Sequence, residues 1–150
     1  QYGKENRDLT VYYLYGASGA GKTRSIYQAH PAGDICRITD YGGKNGVRFD
    51  AYHGQPVLVL EEFYSQIPIE TMLNLLDIYP LTLPARYSDR IACYTTVYLT
   101  SNIPLEAQYP DIQRYKSETW RAFLRRIHVV REFWRDGTIQ EVIYDTKRKI

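Results

Sequence analysis

The chain has 150 residues, of which 44% are hydrophobic and 24% charged, a composition typical of one compact domain with a single core. Its 19 basic and 17 acidic side chains leave a formal net charge of only +2, so any nucleic-acid contact must come from a local cluster of charge. The two cysteines, Cys36 and Cys93, form no C-x-x-C motif, which argues against a disulfide framework and a zinc site. No apolar run is long enough to span a membrane, and we expect a soluble, intracellular protein with no membrane partner.

Predicted strands and helices alternate along the chain, which is typical of an α/β protein. The polar residues 1–8 are interpreted as a linker remnant, and the domain is predicted to extend over residues 9–150. In the first half we predict strands at 9–15, 34–38, 47–49 and 57–60, a helix at 22–30, and a second helix that opens at Pro68 and stops at Pro80. The apolar face of the second helix is predicted to comprise Met72, Leu73, Leu75, Leu76 and Tyr79.

The second half continues this alternation. We predict a strand at 95–100, a helix at 117–126, and a hairpin that pairs 127–134 with 138–144 across an Asp136-Gly137 turn. The helix has an apolar stripe at i, i+3, i+4 and i+7 spacing, formed by Trp120, Phe123, Leu124 and Ile127. If that stripe is buried, the basic side chains of the helix turn outward, namely Arg121, Arg125 and Arg126.

A complete G-x-x-x-x-G-K-[ST] motif, the P-loop or Walker A pattern, lies between the first predicted strand and the first predicted helix. Its residues are Gly16, Ala17, Ser18, Gly19, Ala20, Gly21, Lys22 and Thr23, and Arg24 follows in the helix. The glycines let successive backbone N–H groups curl around a phosphate at the positive end of a helix. We therefore expect ATP at this loop, with Lys22 on the β- and γ-phosphates and Thr23 on Mg²⁺. The alternative is a glycine-rich turn with a solvated lysine.

Two adjacent carboxylates follow the apolar strand at 57–60. A buried strand that ends in Glu61-Glu62 can direct one carboxylate to a metal ion and the other to a water molecule. We assign Glu61 to Mg²⁺ and Glu62 to the attacking water, because a P-loop needs both functions to hydrolyse a nucleotide. Two glutamates at a solvated strand end are the alternative. Asn102 follows the strand at 95–100, where an asparagine is by itself typical of a turn.

These motifs, in their order, resemble the superfamily 3 helicase domain of Rep initiator proteins. The set comprises the P-loop, residues 57–64 with Glu61-Glu62, Tyr79-Pro80-Leu81, Thr100-Ser101-Asn102, and Leu124-Arg125-Arg126-Ile127, and it covers residues 9–135. Such proteins serve circular single-stranded DNA viruses, such as circoviruses, and related rolling-circle plasmids. Glu61-Glu62 replaces the Asp-Asp pair of circoviral relatives. The resemblance implies a three-layer, AAA+-like P-loop NTPase with a central, mainly parallel five-stranded sheet and a β-hairpin pore loop.

The resemblance also implies roles for residues that the pattern alone leaves open. Asn102 would hold the attacking water beside the γ-phosphate. Arg86 matches the tip of the pore hairpin in the segment 83–91, where Tyr87 and Arg90 would add a stacking surface and charge for DNA. By composition alone that segment is a solvated loop. Arg125 and Arg126 match an Arg-Arg pair that reaches the nucleotide of a neighbouring subunit, and we rank Arg125 first.

The function implied is an ATP-driven, 3′-to-5′ DNA helicase domain that works as a homohexameric ring during rolling-circle replication. In the family an endonuclease domain precedes the helicase domain, and the location is the host nucleus for a eukaryotic virus or the cytoplasm for a bacterial plasmid. Two alternatives stay open. A P-loop phosphotransferase would show a small-molecule acceptor pocket and no stimulation by DNA. An ATP-switched DNA-binding module would assemble with ATP and show negligible turnover.

Overall fold

A computed structural model describes residues 8–43 and 46–143. Residues 1–7 of the linker predicted at 1–8 lie outside this range, and so does Tyr144, the last residue of the predicted hairpin. Within the described ranges no helix is long and apolar enough to cross a membrane.

The main sheet has six strands, namely β1 Thr10–Gly16, β2 Ile35–Ile38, β3 Val57–Leu60, β6 Thr96–Ser101, β7 Val129–Phe133 and β8 Ile139–Val142. Their spatial order is β2-β3-β6-β1-β7-β8. The first five in the spatial order run parallel to one another, and β8 pairs antiparallel with β7. The mainly parallel sheet is therefore confirmed, with β8 as a sixth strand beyond the five expected. As predicted for a strand covered on both faces, every residue of β3 is buried.

Helices cover both faces of the sheet and give the expected three layers. The helices are α1 Lys22–Ala29, α2 Ile69–Leu75, α3 Pro110–Tyr115 and α4 Ser117–Arg125. On one face, Ile26 of α1 packs with Leu14, Val59 and Phe133. The larger core lies on the other face, where α2 and α4 contribute the buried residues Met72, Leu75, Trp120, Phe123 and Leu124. This arrangement leaves the carboxyl ends of the parallel strands open along one edge, where ligands bind in such folds.

Two local expectations were wrong, and one helix was not predicted. Residues 47–49 form no strand, although Val47 and Phe49 are buried, so their apolar character reflects core packing rather than pairing. The helix α2 ends at Leu75, and Tyr79 is 60% exposed rather than part of its buried face. The helix α3 was missed because its six residues are too few to show a helical period, although Pro110 starts it at a position that favours proline.

A small second sheet carries the predicted hairpin. The strands β4 Thr82–Leu83 and β5 Arg90–Ile91 pair antiparallel, and residues 84–89 connect them. The hairpin in the segment 83–91 is therefore present as expected. Its amino-terminal strand follows α2, and its carboxyl-terminal strand leads through residues 92–95 into β6.

Candidate functional site

The P-loop connects the end of β1 to the start of α1, and the structure explains why two of its residues are glycine. A side chain at Gly16 would place its Cβ 2.2 Å from the carbonyl oxygen of Phe133 on the neighbouring strand β7. Gly21 caps α1 in the left-handed region, with φ of 96°. Ala17, Ser18 and Gly19 are exposed at the mouth of the loop. The loop thus ends in a helix amino terminus that favours a phosphate.

Lys22 lies inside this loop and reaches the next strand of the sheet. Its Nζ donates hydrogen bonds to the carbonyl oxygens of Gly16 at 2.6 Å and Ala17 at 3.2 Å, and to Asn102 Oδ1 at 3.2 Å. Partial burial lowers the pKa of the Lys22 ammonium, and the nearby carboxylates of Glu61 and Glu62 oppose that shift. The structure therefore brings together two predicted site residues, Lys22 and Asn102, that are 80 positions apart in sequence.

The Glu61 carboxylate is buried at the end of β3 and gathers donors from three neighbouring elements. The Thr23 hydroxyl on α1 donates to it at 2.9 and 3.0 Å, and the Thr100 hydroxyl on β6 at 2.8 Å. Arg37 on β2 donates from Nη2 at 3.0 Å and from Nε at 3.2 Å. The Thr23–Glu61 pair that the sequence predicted is thus in contact.

The Thr23 hydroxyl and the Glu61 carboxylate fit Mg²⁺ as ligands. A hydroxyl and a carboxylate are hard oxygen ligands, which Mg²⁺ prefers, and the ion usually completes its shell with water and substrate phosphates. Among the described residues, no group of three or more His, Cys, Asp or Glu side chains could hold a metal ion on its own. A metal bound between Thr23 and Glu61 would therefore depend on phosphate oxygens and water as well.

Arg37 and Tyr41 were not singled out from the sequence, and Thr100 entered it only as part of a motif, with no role assigned. Arg37 and Thr100 contact the Glu61 side chain, and the Tyr41 hydroxyl donates to the Glu61 backbone carbonyl. Burial raises the pKa of the Tyr41 phenol, and the charges of Glu61 and Glu62 add to that rise. The available signal was the position of Arg37, a charged residue between buried Cys36 and Ile38 in a strand that pairs with β3.

Glu62 lies beside Asn102 at the same edge of the sheet. Both line a cavity of about 360 Å³ together with Phe63, Tyr64, Ser101 and Ile103. Glu62 has a φ of 52°, in the left-handed region that is uncommon for a side chain of its kind. Its carboxylate is on an exposed residue, whereas that of Glu61 is buried, so the two glutamates differ in environment as their separate roles require.

The helix arginines do not all turn outward, which corrects the expectation for α4. Arg126 is half-buried and donates to Asp77 Oδ2 at 3.0 Å and to the Ala122 carbonyl at 2.9 Å. The Arg121 side chain is only 22% exposed. Arg125 is exposed, as expected. The reason is that α4 packs against α2, and Asp77, just beyond α2, provides an acidic partner within the same chain.

The hairpin arginines also differ from each other. Arg86 and Tyr87 form the exposed tip, with the Arg86 guanidinium 5.1 Å from the centre of the Tyr87 ring, and Tyr87 is 93% exposed. Arg90 instead braces the base of the hairpin, because its guanidinium donates to the carbonyl oxygens of Tyr52 at 3.0 Å and Ser88 at 2.5 Å. Of the residues expected at DNA, Arg86 and Tyr87 are therefore the more accessible.

The fold and this edge of the sheet define a P-loop NTPase. A chain of the S. cerevisiae Hsp104:casein complex in its extended conformation is similar in structure, with a TM-score of 0.55 and 21% sequence identity. The match covers 85% of this chain and 29% of that one, and it shows the fold alone.

Sequence comparison then identifies the family. A family model described as RNA helicase matches residues 12–103, so the chain belongs to this helicase family. It is 32% identical over 111 residues to the replication-associated protein of beak and feather disease virus, covering 73% of this chain and 36% of the relative. It is 27% identical over 141 residues to that of porcine circovirus 2, covering 91% and 41%. The chain is therefore a circovirus-like Rep helicase domain and spans less than half the length of these relatives.

Proposed function

We propose that this domain hydrolyses ATP to drive movement along single-stranded DNA, as part of a replication initiator. The observation that carries the proposal is that Lys22 contacts Asn102 while Thr23 contacts Glu61, at the open carboxyl edge of a parallel sheet. The names of the relatives, all replication-associated proteins, support a role in replication.

In the proposed mechanism the chain's own groups divide the work. The P-loop N–H groups and Lys22 bind the β- and γ-phosphates, and Lys22 also fixes the Asn102 amide oxygen. Glu62 polarises the attacking water, and Asn102 holds that water in line with the γ-phosphate. Thr23 and Glu61 would hold Mg²⁺, which neutralises phosphate charge when bound.

We further propose a homohexameric ring in which Arg125 completes the ATP site of the neighbouring subunit. The structure supports Arg125 over Arg126, because Arg126 is engaged by Asp77 of its own chain whereas Arg125 is exposed on α4. An arginine supplied from a partner to phosphoryl transfer increases the rate by about 10³ to 10⁵.

The hairpin tip is the proposed DNA contact. Arg86 supplies one positive charge to a phosphate, and the exposed Tyr87 ring supplies a stacking surface for a base. Neither contact reads sequence, so we expect binding to be largely independent of sequence. Because the relatives are longer than this chain, we also propose that the whole protein carries an endonuclease domain and acts inside the host cell.

The testing experiment measures ATP turnover with Mg²⁺ in the presence and absence of single-stranded DNA, beside the mass of the oligomer. We expect stimulation by DNA and a ring of subunits. Single-stranded RNA of the same sequence is the control, because the matching family model is described as RNA helicase. Turnover that needs a small-molecule acceptor and ignores DNA would favour a phosphotransferase. Assembly with ATP but no turnover would favour an ATP-switched DNA-binding module.

A further inference from the structure

The amide of Gln108 is completely buried beneath the loops that carry Glu62 and Asn102. Its Nε2 donates to the Phe63 carbonyl oxygen at 3.0 Å and to Ser101 Oγ at 3.2 Å. Phe63 is the residue after Glu62, and Ser101 is the residue before Asn102. One side-chain amide therefore links the backbone beside Glu62 to the side chain of the residue before Asn102.

Two hydroxyl groups extend this link. The Ser101 hydroxyl donates to the Phe63 carbonyl at 2.7 Å, so the two loops are also joined directly. The Tyr13 hydroxyl accepts from Gln108 Nε2 at 2.9 Å and donates to the carbonyl of Ile103, the residue after Asn102, at 2.8 Å. Asn102 is thus held by hydrogen bonds at both of its chain neighbours.

The orientation of the Gln108 amide is fixed by its surroundings. The Ser65 hydroxyl donates to Gln108 Oε1 at 2.6 Å, while Ser65 Oγ accepts from the Tyr109 N–H at 2.9 Å. A flipped amide would direct its oxygen at the Phe63 carbonyl, where both atoms are acceptors. The network is therefore satisfied in one arrangement, which makes it rigid.

The backbone at Glu62 needs such support. Its positive φ of 52° costs energy and persists only where the surrounding structure imposes it. The Glu62 N–H donates to Thr100 Oγ1 at 3.2 Å, and the Phe63 N–H donates to the Thr100 carbonyl at 2.7 Å. Gln108 fastens the other side of the same segment through the Phe63 carbonyl.

We propose that Gln108 is a positioning residue that sets the distance and orientation between Glu62 and Asn102 for attack of water on ATP. The inference rests on the proposed ATPase function. Gln108 touches neither nucleotide nor water in this proposal. It acts by holding both loops in register, so its removal affects the transition state more than nucleotide binding.

The test replaces the amide with an apolar side chain of similar length, Gln108→Met. We expect kcat for ATP hydrolysis to fall roughly tenfold to a hundredfold, the range expected when catalytic groups are misplaced. The dissociation constant for ADP should stay within about twofold, whereas affinity for ADP with aluminium fluoride, a transition-state analogue, should fall along with kcat. The matched control is Gln113→Met, because Gln113 lies in the nearby helix α3 and its side-chain amide donates to the backbone carbonyls of Glu106 and Gln108 rather than to Phe63 or Ser101.

A double-mutant cycle shows whether Gln108 acts through the predicted site. In an Asn102→Ala background, Gln108→Met should cost clearly less than in the parent chain, because one of the groups that it positions is already gone. Equal costs in the two backgrounds would overturn the inference. Tyr13→Phe is a second variant, since it removes one hydroxyl and two hydrogen bonds of the network, and we expect a several-fold fall in kcat.

Other outcomes are equally decisive. A folded Gln108→Met variant with normal kcat overturns the inference, and so does one in which ADP and the analogue lose affinity equally. If Gln108→Met does not fold, a Tyr13→Phe variant with unchanged kcat has the same consequence. A parent chain that binds ADP but shows no ATP turnover overturns the proposed function instead.

Discussion

Replacing Arg37 with glutamine removes the cation that faces the buried carboxylate of Glu61. The Glu61 side chain is 6% exposed and that of Arg37 46%, so the pair lies between a buried and a surface salt bridge. Breaking a buried pair costs about 3 to 5 kcal/mol, and a surface pair contributes at most about 1 kcal/mol. Since Glu61 keeps the hydroxyl donors Thr23 and Thr100, we expect Arg37→Gln to lower the free energy of unfolding by about 1 to 2 kcal/mol.

That loss converts to a measurable change in melting temperature. For a domain of this size, 1 kcal/mol corresponds to about 2 to 4 °C in melting temperature. In the absence of Mg²⁺, the melting temperature of Arg37→Gln should therefore be about 2 to 8 °C lower than that of the parent chain. The affinity for Mg²⁺, in contrast, should increase. The Arg37 charge repels a divalent cation at Glu61 by on the order of 1 to 2 kcal/mol, and its removal should strengthen Mg²⁺ binding roughly fivefold to thirtyfold.

The assay combines thermal unfolding with a Mg²⁺ titration of the ADP-bound chain by calorimetry. The thermal gain that Mg²⁺ gives should be larger for Arg37→Gln than for the parent chain, because a ligand that binds more tightly stabilises more. Arg135→Gln is the control, since Arg135 lies in the exposed turn between β7 and β8. If Arg37→Gln changes neither the melting temperature nor the Mg²⁺ affinity, the Arg37–Glu61 pair has no energetic role and the reasoning is wrong.

The remaining predictions concern residues assigned from the sequence. Lys22→Ala should abolish ATP hydrolysis, because it removes the fixed cation at the phosphates, whereas Glu62→Gln should bind ATP normally and lose turnover. Paired measurements of ATP binding and of the hydrolysis rate check both, and a normal rate in either variant would contradict the proposed site. Arg86→Ala should weaken single-stranded DNA binding for all sequences and reduce the salt dependence of that binding, with normal ATPase activity in the absence of DNA. An unchanged salt dependence would indicate that Arg86 is a solvated loop residue without a contact to DNA. Arg125→Ala should keep its melting temperature and lose turnover, whereas Arg126→Ala should lower the melting temperature because it breaks the half-buried pair with Asp77. Mixing Arg125→Ala with Lys22→Ala subunits should restore activity, since some interfaces then combine two intact halves; a mixture that stays inactive although subunits exchange would exclude an arginine acting between subunits.

The parts of the site that sequence could predict share one property: each follows from a short motif and the direction of the chain. The P-loop is contiguous, and parallel strands bring their carboxyl ends to one edge, so residues after β1, β3 and β6 had to meet there. The strand β6, which presents Asn102, lies between β1 and β3, so its carboxyl end falls between those of the other two.

The parts that sequence did not reveal depend on pairing across the sheet or on irregular backbone. Arg37 reaches Glu61 only because β2 pairs with β3 in one register, with Arg37 beside Val59. Gln108 lies in the short segment between a 3₁₀ turn at Leu105–Ala107 and α3, where no periodic pattern exists. Such contacts join residues that are 24 and 45 positions apart, and a local motif carries no information about them.

The strands β3 and β6 connect the proposed DNA contact to the proposed ATP site. At their amino-terminal ends, the Thr95 and Thr96 N–H groups donate to the Pro56 carbonyl at 2.9 and 3.1 Å, directly beside β3 and β6. The hairpin joins this end through Arg90, which donates to the Tyr52 carbonyl. The carboxyl ends of β3 and β6 carry Glu61 and Asn102.

The strand β3 is buried along its length and pairs with β6 from Val57 and Thr96 to Leu60 and Leu99, and such close-packed interiors transmit strain. A displacement of the hairpin relative to the sheet would therefore act on the two strands whose carboxyl ends carry Glu61 and Asn102. This supplies the proposed DNA contact with a physical route to the proposed hydrolysis of ATP.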